Sequence, residues 1–263
     1  MGSLAYSLLC AFLGAFAESR GVTVIPLTGE VILVMLLATL YITAKHFNKA
    51  CQIKSPQRQR LHVEKNFEEI NLRRFVQRNK LFLAVSIGTG GIFFSNAVFN
   101  NFMLQIVEGV GGNSGDMGKV FSVMAFLEIP PMFFFSKVNN KFSCQTLLKF
   151  ASICFTAKVV CAFLAENVTM IFVAQFFQLV SFGLFLPAMV SFIDEIMDRG
   201  EAVKGQALYT IMITISTVFA SFIGGFILDF SGPSALLLIA SVITGAGTMI
   251  LIIFIEKIEK RKK

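Results

Sequence analysis

Long apolar runs recur along this chain and constrain its fold more than any other feature. A helix needs about 20 mainly apolar residues, at roughly 1.5 Å each, to cross a hydrocarbon layer about 30 Å thick. Eight such runs stand at approximately 3–17, 22–44, 81–106, 118–136, 147–165, 168–192, 205–228 and 234–255, the first of them short. With 55% hydrophobic and 15% charged residues among 263, and a mean hydropathy of +0.73, the chain lies far from the balance of a water-soluble globule. The expected fold is all-α, a polytopic membrane protein with about eight transmembrane helices. The first run lacks a basic leader and a clean cleavage context, and a second apolar run follows at once, so it reads as a span and not a signal peptide.

The distribution of charge sets an orientation. Twenty of the 23 Lys and Arg fall in four segments: ten in 45–80, three in 137–149, two in 194–204 and five in 256–263. These are alternate connections plus the C-terminal tail, and by the positive-inside bias they face the cytoplasm. The opposite turns hold Glu18, Glu108, Asp116, Glu166 and Asp229. A net charge of +7 placed this way fixes topology and gives no reason to expect a nucleic-acid partner. The expected location is the cell membrane, multi-pass, with the C-terminus cytoplasmic.

Cysteines 10, 51, 144, 154 and 161 are odd in number and lie in spans or in loops assigned to the cytoplasm, without disulfide or metal spacing. His46 and His62 stand in the basic loop, far from any acidic or thiol cluster. There is no nucleophile–base pair and no phosphate-binding loop. No cofactor, no metal and no enzymatic activity are expected.

Residues 45–80 form the one long polar stretch and divide the chain into two spans before it and six after it. The segments are 1–44, the last two helices of one bundle; 45–80, a cytoplasmic basic linker; 81–255, a six-helix bundle; and 256–263, a basic tail. Ser55-Pro56 is a helix-start signal, and Leu61, Phe67, Ile70 and Phe75 allow a weakly amphipathic helix on an anionic leaflet. A solvated tether fits the same residues equally well. Short turns such as 110–116 and 229–233 join the six later spans. Transporters are often paired bundles that handle substrate near the bilayer midplane.

Two ionisable residues stand inside the spans. Glu128 and Lys158 each lie ten or eleven residues from the start of consecutive antiparallel runs, roughly 15–16 Å into the membrane. A charge at the bilayer centre costs about 2.5–3.5 kcal/mol on insertion scales, so such residues face a partner or an aqueous cavity. Glu128 and Lys158 therefore form either a proton or substrate-cation site or a structural pair. Pro130 and Pro131 follow directly and leave the carbonyls of Phe126 and Leu127 without their helical donors, which favours an interior position for Glu128. Gly183 and Pro187 make a second weak point, either a hinge or a static kink. Asn96 and Asn100 share a helix face with Phe93 and Thr89, and Gln175 and Gln178 form an i, i+3 pair. Amides at membrane depth either contact a polar solute or bridge helices. Thr210, Thr214, Thr217 and Ser221, leading to Gly224 and Gly225, read as a packing face before a ligand face.

Several segments together carry a family resemblance. They are Glu128-Ile129-Pro130-Pro131-Met132-Phe133, Ala174-Gln175 through Ser181-Phe182-Gly183, Lys204-Gly205-Gln206-Ala207-Leu208-Tyr209, and Gly224-Gly225-Phe226-Ile227-Leu228-Asp229-Phe230-Ser231-Gly232. On these the chain resembles the C-terminal two-thirds of a major facilitator superfamily transporter, in the branch of lactose permease and phenylpropionate permease, with residues 1–17 similar to span five. The resemblance implies a complete C-terminal bundle, a partial N-terminal bundle and an N-terminally truncated product. It also implies that Glu128 belongs to a substrate site and Lys158 to a charge network for proton coupling. Relatives usually carry Arg where Lys158 stands, and Lys differs in hydrogen-bond geometry and in how readily it gives up its charge. They often carry His near Gln178, and an amide cannot titrate in its place. The loop Ser136-Lys137-Val138-Asn139-Asn140-Lys141 keeps the basic character of the family's loop without its Gly and Asp.

The expected function is secondary active transport of a small-molecule solute by alternating access, with protons as a coupling ion to be tested and the lipid bilayer as the second partner. Sugars, nucleosides, aromatic acids and drugs are all compatible solutes. The alternative is a non-transporting membrane scaffold or receptor, or an inactive remnant of a transporter. Nothing in the residues sets an oligomeric state.

Overall fold

The computed structural model describes Phe75 and residues 77–262, and every described element is helical. Expectations that fall on residues 1–74, including the first two spans and most of the basic linker, lie outside the described residues. The elements are α1 (Lys80–Gly109), α2 (Ser114–Asn139), α3 (Cys144–Phe163), α4 (Val168–Gln175), a 3-10 turn (Phe176–Leu179), α5 (Ser181–Ile196) and α6 (Arg199–Lys262).

Polar caps at the turns decide where the apolar runs become helices. Asn113 accepts from the Asp116 amide at 3.0 Å and its own amide donates back to that carboxylate at 3.3 Å, a capping box that opens α2. Ser143 and Asn167 accept from the amides of Thr146 and Met170 and open α3 and α4 in the same way. Gly111, at φ +82°, carries the turn after α1.

Among the described residues, five helices are long and apolar enough to cross a membrane: Lys80–Gly109, Ser114–Asn139, Cys144–Phe163, Val168–Ile196 and Gly200–Arg261. The last is 62 residues long, far beyond a bilayer, and it is broken at Gly232, whose φ of +77° no helix contains. Contacts with α1 show that its two arms fold back on each other there. Along the first arm, Gly90 lies by Ser216, Phe102 by Gly224 and Gly109 by Pro233, a parallel course. Along the second, Gly88 lies by Gly247 and Leu251 while Gly109 is by Pro233, an antiparallel one. The turn expected at 229–233 is thus a single glycine followed by a proline.

Lipid offers no hydrophobic drive for apolar helices to associate, so close packing has to supply the attraction. Glycine supplies it here. A Cβ on Gly88 would stand 2.7 Å from the Gly247 carbonyl oxygen, and one on Gly91 3.1 Å from the Gly247 Cα, so the backbones of α1 and the second arm of α6 touch. Phe93 fills the centre, with ring centroids 5.9 Å from Phe155, 5.7 Å from Phe185 and 6.4 Å from Tyr209.

Ties at the basic end close the bundle. Arg78 pairs with Glu201 at 3.1 Å and Lys149 with Glu259 at 2.9 Å. Glu195 at the end of α5 accepts from the Cys144 thiol at 2.9 Å and the Gln145 amide at 2.8 Å, fixing the start of α3. The hydroxyl stripe on α6 departs from the packing face expected of it. Thr210, Thr214 and Thr217 are exposed and return their hydroxyls to carbonyls one turn back, while Ser221, Gly224 and Gly225 lie against Asn101 and Phe102 of α1.

Candidate functional site

The apolar run at 168–192 does not stay α-helical. After Gln175 it tightens into the 3-10 turn, where residues three apart eclipse one another, and Gln178 is carried into the interior with 1% exposure. Its amide there meets both buried charges. Lys158 Nζ donates to Gln178 Oε1 at 2.7 Å, and Gln178 Nε2 donates to Glu128 Oε1 at 2.8 Å. No ion pair joins Lys158 and Glu128 directly within 4 Å. The expected pair is a relay of three, with the amide between the charges.

The surroundings of the two charges differ. Lys158 is 1% exposed, its ammonium 4.6 Å from the centroid of the Phe99 ring and 3.9 Å from Met124 Sδ. A desolvated ammonium over an aromatic face gains about 2 kcal/mol, and a charge-assisted hydrogen bond is roughly twice as strong as a neutral one. Glu128 is only partly buried, so the carboxylate is the member of the relay that opens outward.

Helix α2 runs through Pro130 and Pro131 without leaving helical geometry. Pro131 is buried against Gly183: a Cβ on that glycine would stand 3.1 Å from Pro131 Cβ and 3.5 Å from the Glu128 carbonyl oxygen. The absence of a side chain at 183 lets α5 lie directly beside Glu128. Pro187 is inside α5, which continues past it, and the interruption of α-helix in this run lies earlier, at Phe176–Leu179.

The other amides stay apart from the relay. Gln175 is fully buried with neither amide atom hydrogen-bonded, and Asn96 is half-buried with its oxygen unpartnered among the described residues. Asn100 is exposed. Its neighbour Asn101, which sequence reasoning passed over, donates to Ser221 Oγ at 2.7 Å, and a departure from helical geometry at Phe102 (φ −122°, ψ 21°) follows directly. Phe99 and Met124 were also missed, as apolar residues in apolar runs. Ser181 Oγ and Tyr209 OH are further buried polar atoms without hydrogen-bond partners among the described residues. Such atoms are costly in a dry interior unless water or a solute meets them. Among the described residues no group of three or more His, Cys, Asp or Glu is placed to hold a metal.

The arrangement can hold a proton at Glu128, pass a change of its charge to Lys158 through one amide, and offer polar atoms to a solute at membrane depth. Comparison with known proteins agrees with the membrane reading. The family model described as MFS_1 like family matches residues 1–239. The chain is 25% identical over 215 residues to a Bacillus subtilis (strain 168) protein named Uncharacterized transporter YwbF, a match covering 81% of this chain and 52% of that one. The chain thus spans about half the length of that curated relative.

Proposed function

We propose that this chain, which belongs to the MFS_1 like family, forms all or part of a secondary transporter that moves a small organic solute by alternating access. Glu128, Gln178 and Lys158 are its polar centre, and the hydrogen-bonded relay among them is the observation that carries the reading. Ionisable groups this deep are expensive, and the cost is met where they serve a substrate or ion path.

The chemistry follows from the hydrogen-bond directions. With Glu128 ionised, its oxygen accepts a charge-assisted bond from Gln178, and the amide oxygen is left for Lys158. A proton on Glu128 removes that charge and weakens the hold of α2 on the 3-10 turn. The turn and the Pro131–Gly183 contact then allow α5 to shift against α2. Solute arriving at the outward-facing carboxylate competes for the same bond. This reading couples a proton, a solute and a helix contact at one atom, and it takes the basic end of the bundle as cytoplasmic and the membrane as the cell membrane.

The test is uptake into vesicles holding the full-length protein, with labelled glucose, uridine, benzoate and ethidium as probes, with and without an imposed pH gradient. Uptake of at least one probe above empty vesicles, accelerated by the gradient in the parent but not in Glu128→Gln, supports the reading. Uptake that ignores both the gradient and the loss of Glu128 contradicts the coupled form.

A further inference from the structure

A separate cavity opens at the basic end of the bundle, between the start of α1, the end of α5 and the last turns of α6. It measures about 180 Å³, and two guanidinium-bearing residues, Arg78 and Arg261, line it together with Asn79. Phe82, Ile196 and Ile258 make an apolar wall behind them. None of these residues touches the relay, which lies on α2, α3 and the 3-10 turn.

Both arginines are exposed, and they differ in what holds them. Arg78 uses one nitrogen, Nη1, on Glu201 at 3.1 Å, and its other N–H donors have no ion-pair partner among the described residues. Arg261 makes no ion pair among the described residues. The charges that flank the lining residues in sequence are Lys80, the first residue of α1, Glu256, Lys257, Glu259 and Lys260 on the last turns of α6, and Asp194, Glu195 and Asp198 around the end of α5. Glu259 is engaged by Lys149 at 2.9 Å. The charged side chains that line the cavity itself, Arg78 and Arg261, are both cationic, and of the two only Arg78 meets a carboxylate among the described residues.

A guanidinium fork matches the oxygens of a phosphate, and two of them on one rim can share a single phosphoryl group. The cavity stands at the ends of membrane-spanning helices, at the level of lipid headgroups, and its wall is apolar where an acyl chain would descend. We infer that it is a binding site for the phosphate group of an anionic phospholipid, seated between Arg78 and Arg261 with its glycerol and first methylenes against Phe82 and Ile258. A basic pocket between helices on one membrane face is the setting in which such headgroups are bound specifically. Bound there, the lipid links α1 to the far arm of α6, and through Arg78 and Glu201 to the near arm.

The experiment is native mass spectrometry of the purified full-length chain with phosphatidylglycerol, with phosphatidylcholine, and with inorganic phosphate as competitor. Phosphatidylglycerol is retained over phosphatidylcholine by the parent, and Arg78→Gln/Arg261→Gln lowers that retention by about tenfold, as loss of charge-assisted bonds requires. Arg78→Lys/Arg261→Lys, which keeps charge and loses the fork, falls between. Lys137→Gln/Lys141→Gln removes two charges from the same end outside the cavity and leaves retention unchanged. If the double glutamine variant does not fold, Arg261→Gln alone, on the exposed last turn, lowers retention in the same sense. Equal retention by parent and glutamine variants overturns the site. Equal loss in the Lys137/Lys141 control reduces it to general surface charge and also overturns it. Displacement of the lipid by millimolar inorganic phosphate keeps the phosphate chemistry and overturns the assignment to lipid.

Discussion

Lys158 and Glu128 share the amide of Gln178, the ammonium donating to its oxygen at 2.7 Å and the carboxylate accepting from its nitrogen at 2.8 Å. A direct pair would neutralise both charges in one contact. The intervening amide instead makes each sensitive to the other while leaving Glu128 partly exposed.

Replacing Gln178 with Leu leaves a fully buried ammonium without its oxygen acceptor, which costs about 3–5 kcal/mol by analogy with broken buried pairs. The melting temperature in detergent is expected to fall by several degrees. The double variant Gln178→Leu/Lys158→Met removes both sides of the bond and recovers at least half of the loss. Strictly additive losses would show that the 2.7 Å bond carries no stability.

The contact of Lys158 with the Phe99 ring is testable in the same way. Phe99→Leu is expected to cost about 1 kcal/mol more in the parent than in a Lys158→Met background, the difference being the cation–π contribution. Equal costs in the two backgrounds would assign Phe99 to packing alone.

Glycine packing between α1 and the second arm of α6 predicts a sharp contrast within one turn. Gly247→Ala places a methyl group 2.6 Å from the backbone oxygen of Gly88, whereas Gly245→Ala places one 4.0 Å from the Thr156 methyl. The first is expected to destabilise by about 1–3 kcal/mol, as overpacking does, and the second by close to nothing. Thermal unfolding of the two variants side by side distinguishes them. Similar melting temperatures would mean the helices separate more easily than the contact implies.

Particular residues show why part of the site was readable in the amino-acid sequence and part was not. Apolar length alone locates α1, α2, α3 and the two arms of α6, because the bilayer sets a thickness and each run is long enough to cross it. Depth along those runs is also enough to single out Glu128 and Lys158. The place of Gln178 is different, because it depends on a local change from α to 3-10 geometry at Phe176–Leu179 that apolar periodicity does not report. The same limit affected the asparagines. A regular helix puts Asn96 and Asn100 on one face, but Asn101, just ahead of the irregular Phe102, is the one that reaches Ser221. The threonine stripe suggested packing by its spacing, and its exposure shows that spacing identifies a face without identifying what covers it.

Glu128→Gln is the variant that isolates chemistry from folding. Glutamine keeps an oxygen that accepts from the Gln178 amide while removing the ability to take or release a proton. It is expected to melt within a few degrees of the parent and to retain exchange of solute across the membrane.

Glu128 is proposed to take up and release the coupled proton while the Gln178 amide passes the change of charge to Lys158, and the direct measurement is proton movement in vesicles loaded with a pH-sensitive dye. The probe is whichever of glucose, uridine, benzoate and ethidium the parent takes up. Its addition is expected to shift the internal pH with the parent and not with Glu128→Gln, while exchange of labelled for unlabelled probe continues in both. An equal pH shift with Glu128→Gln would contradict the account and place proton coupling elsewhere in the molecule.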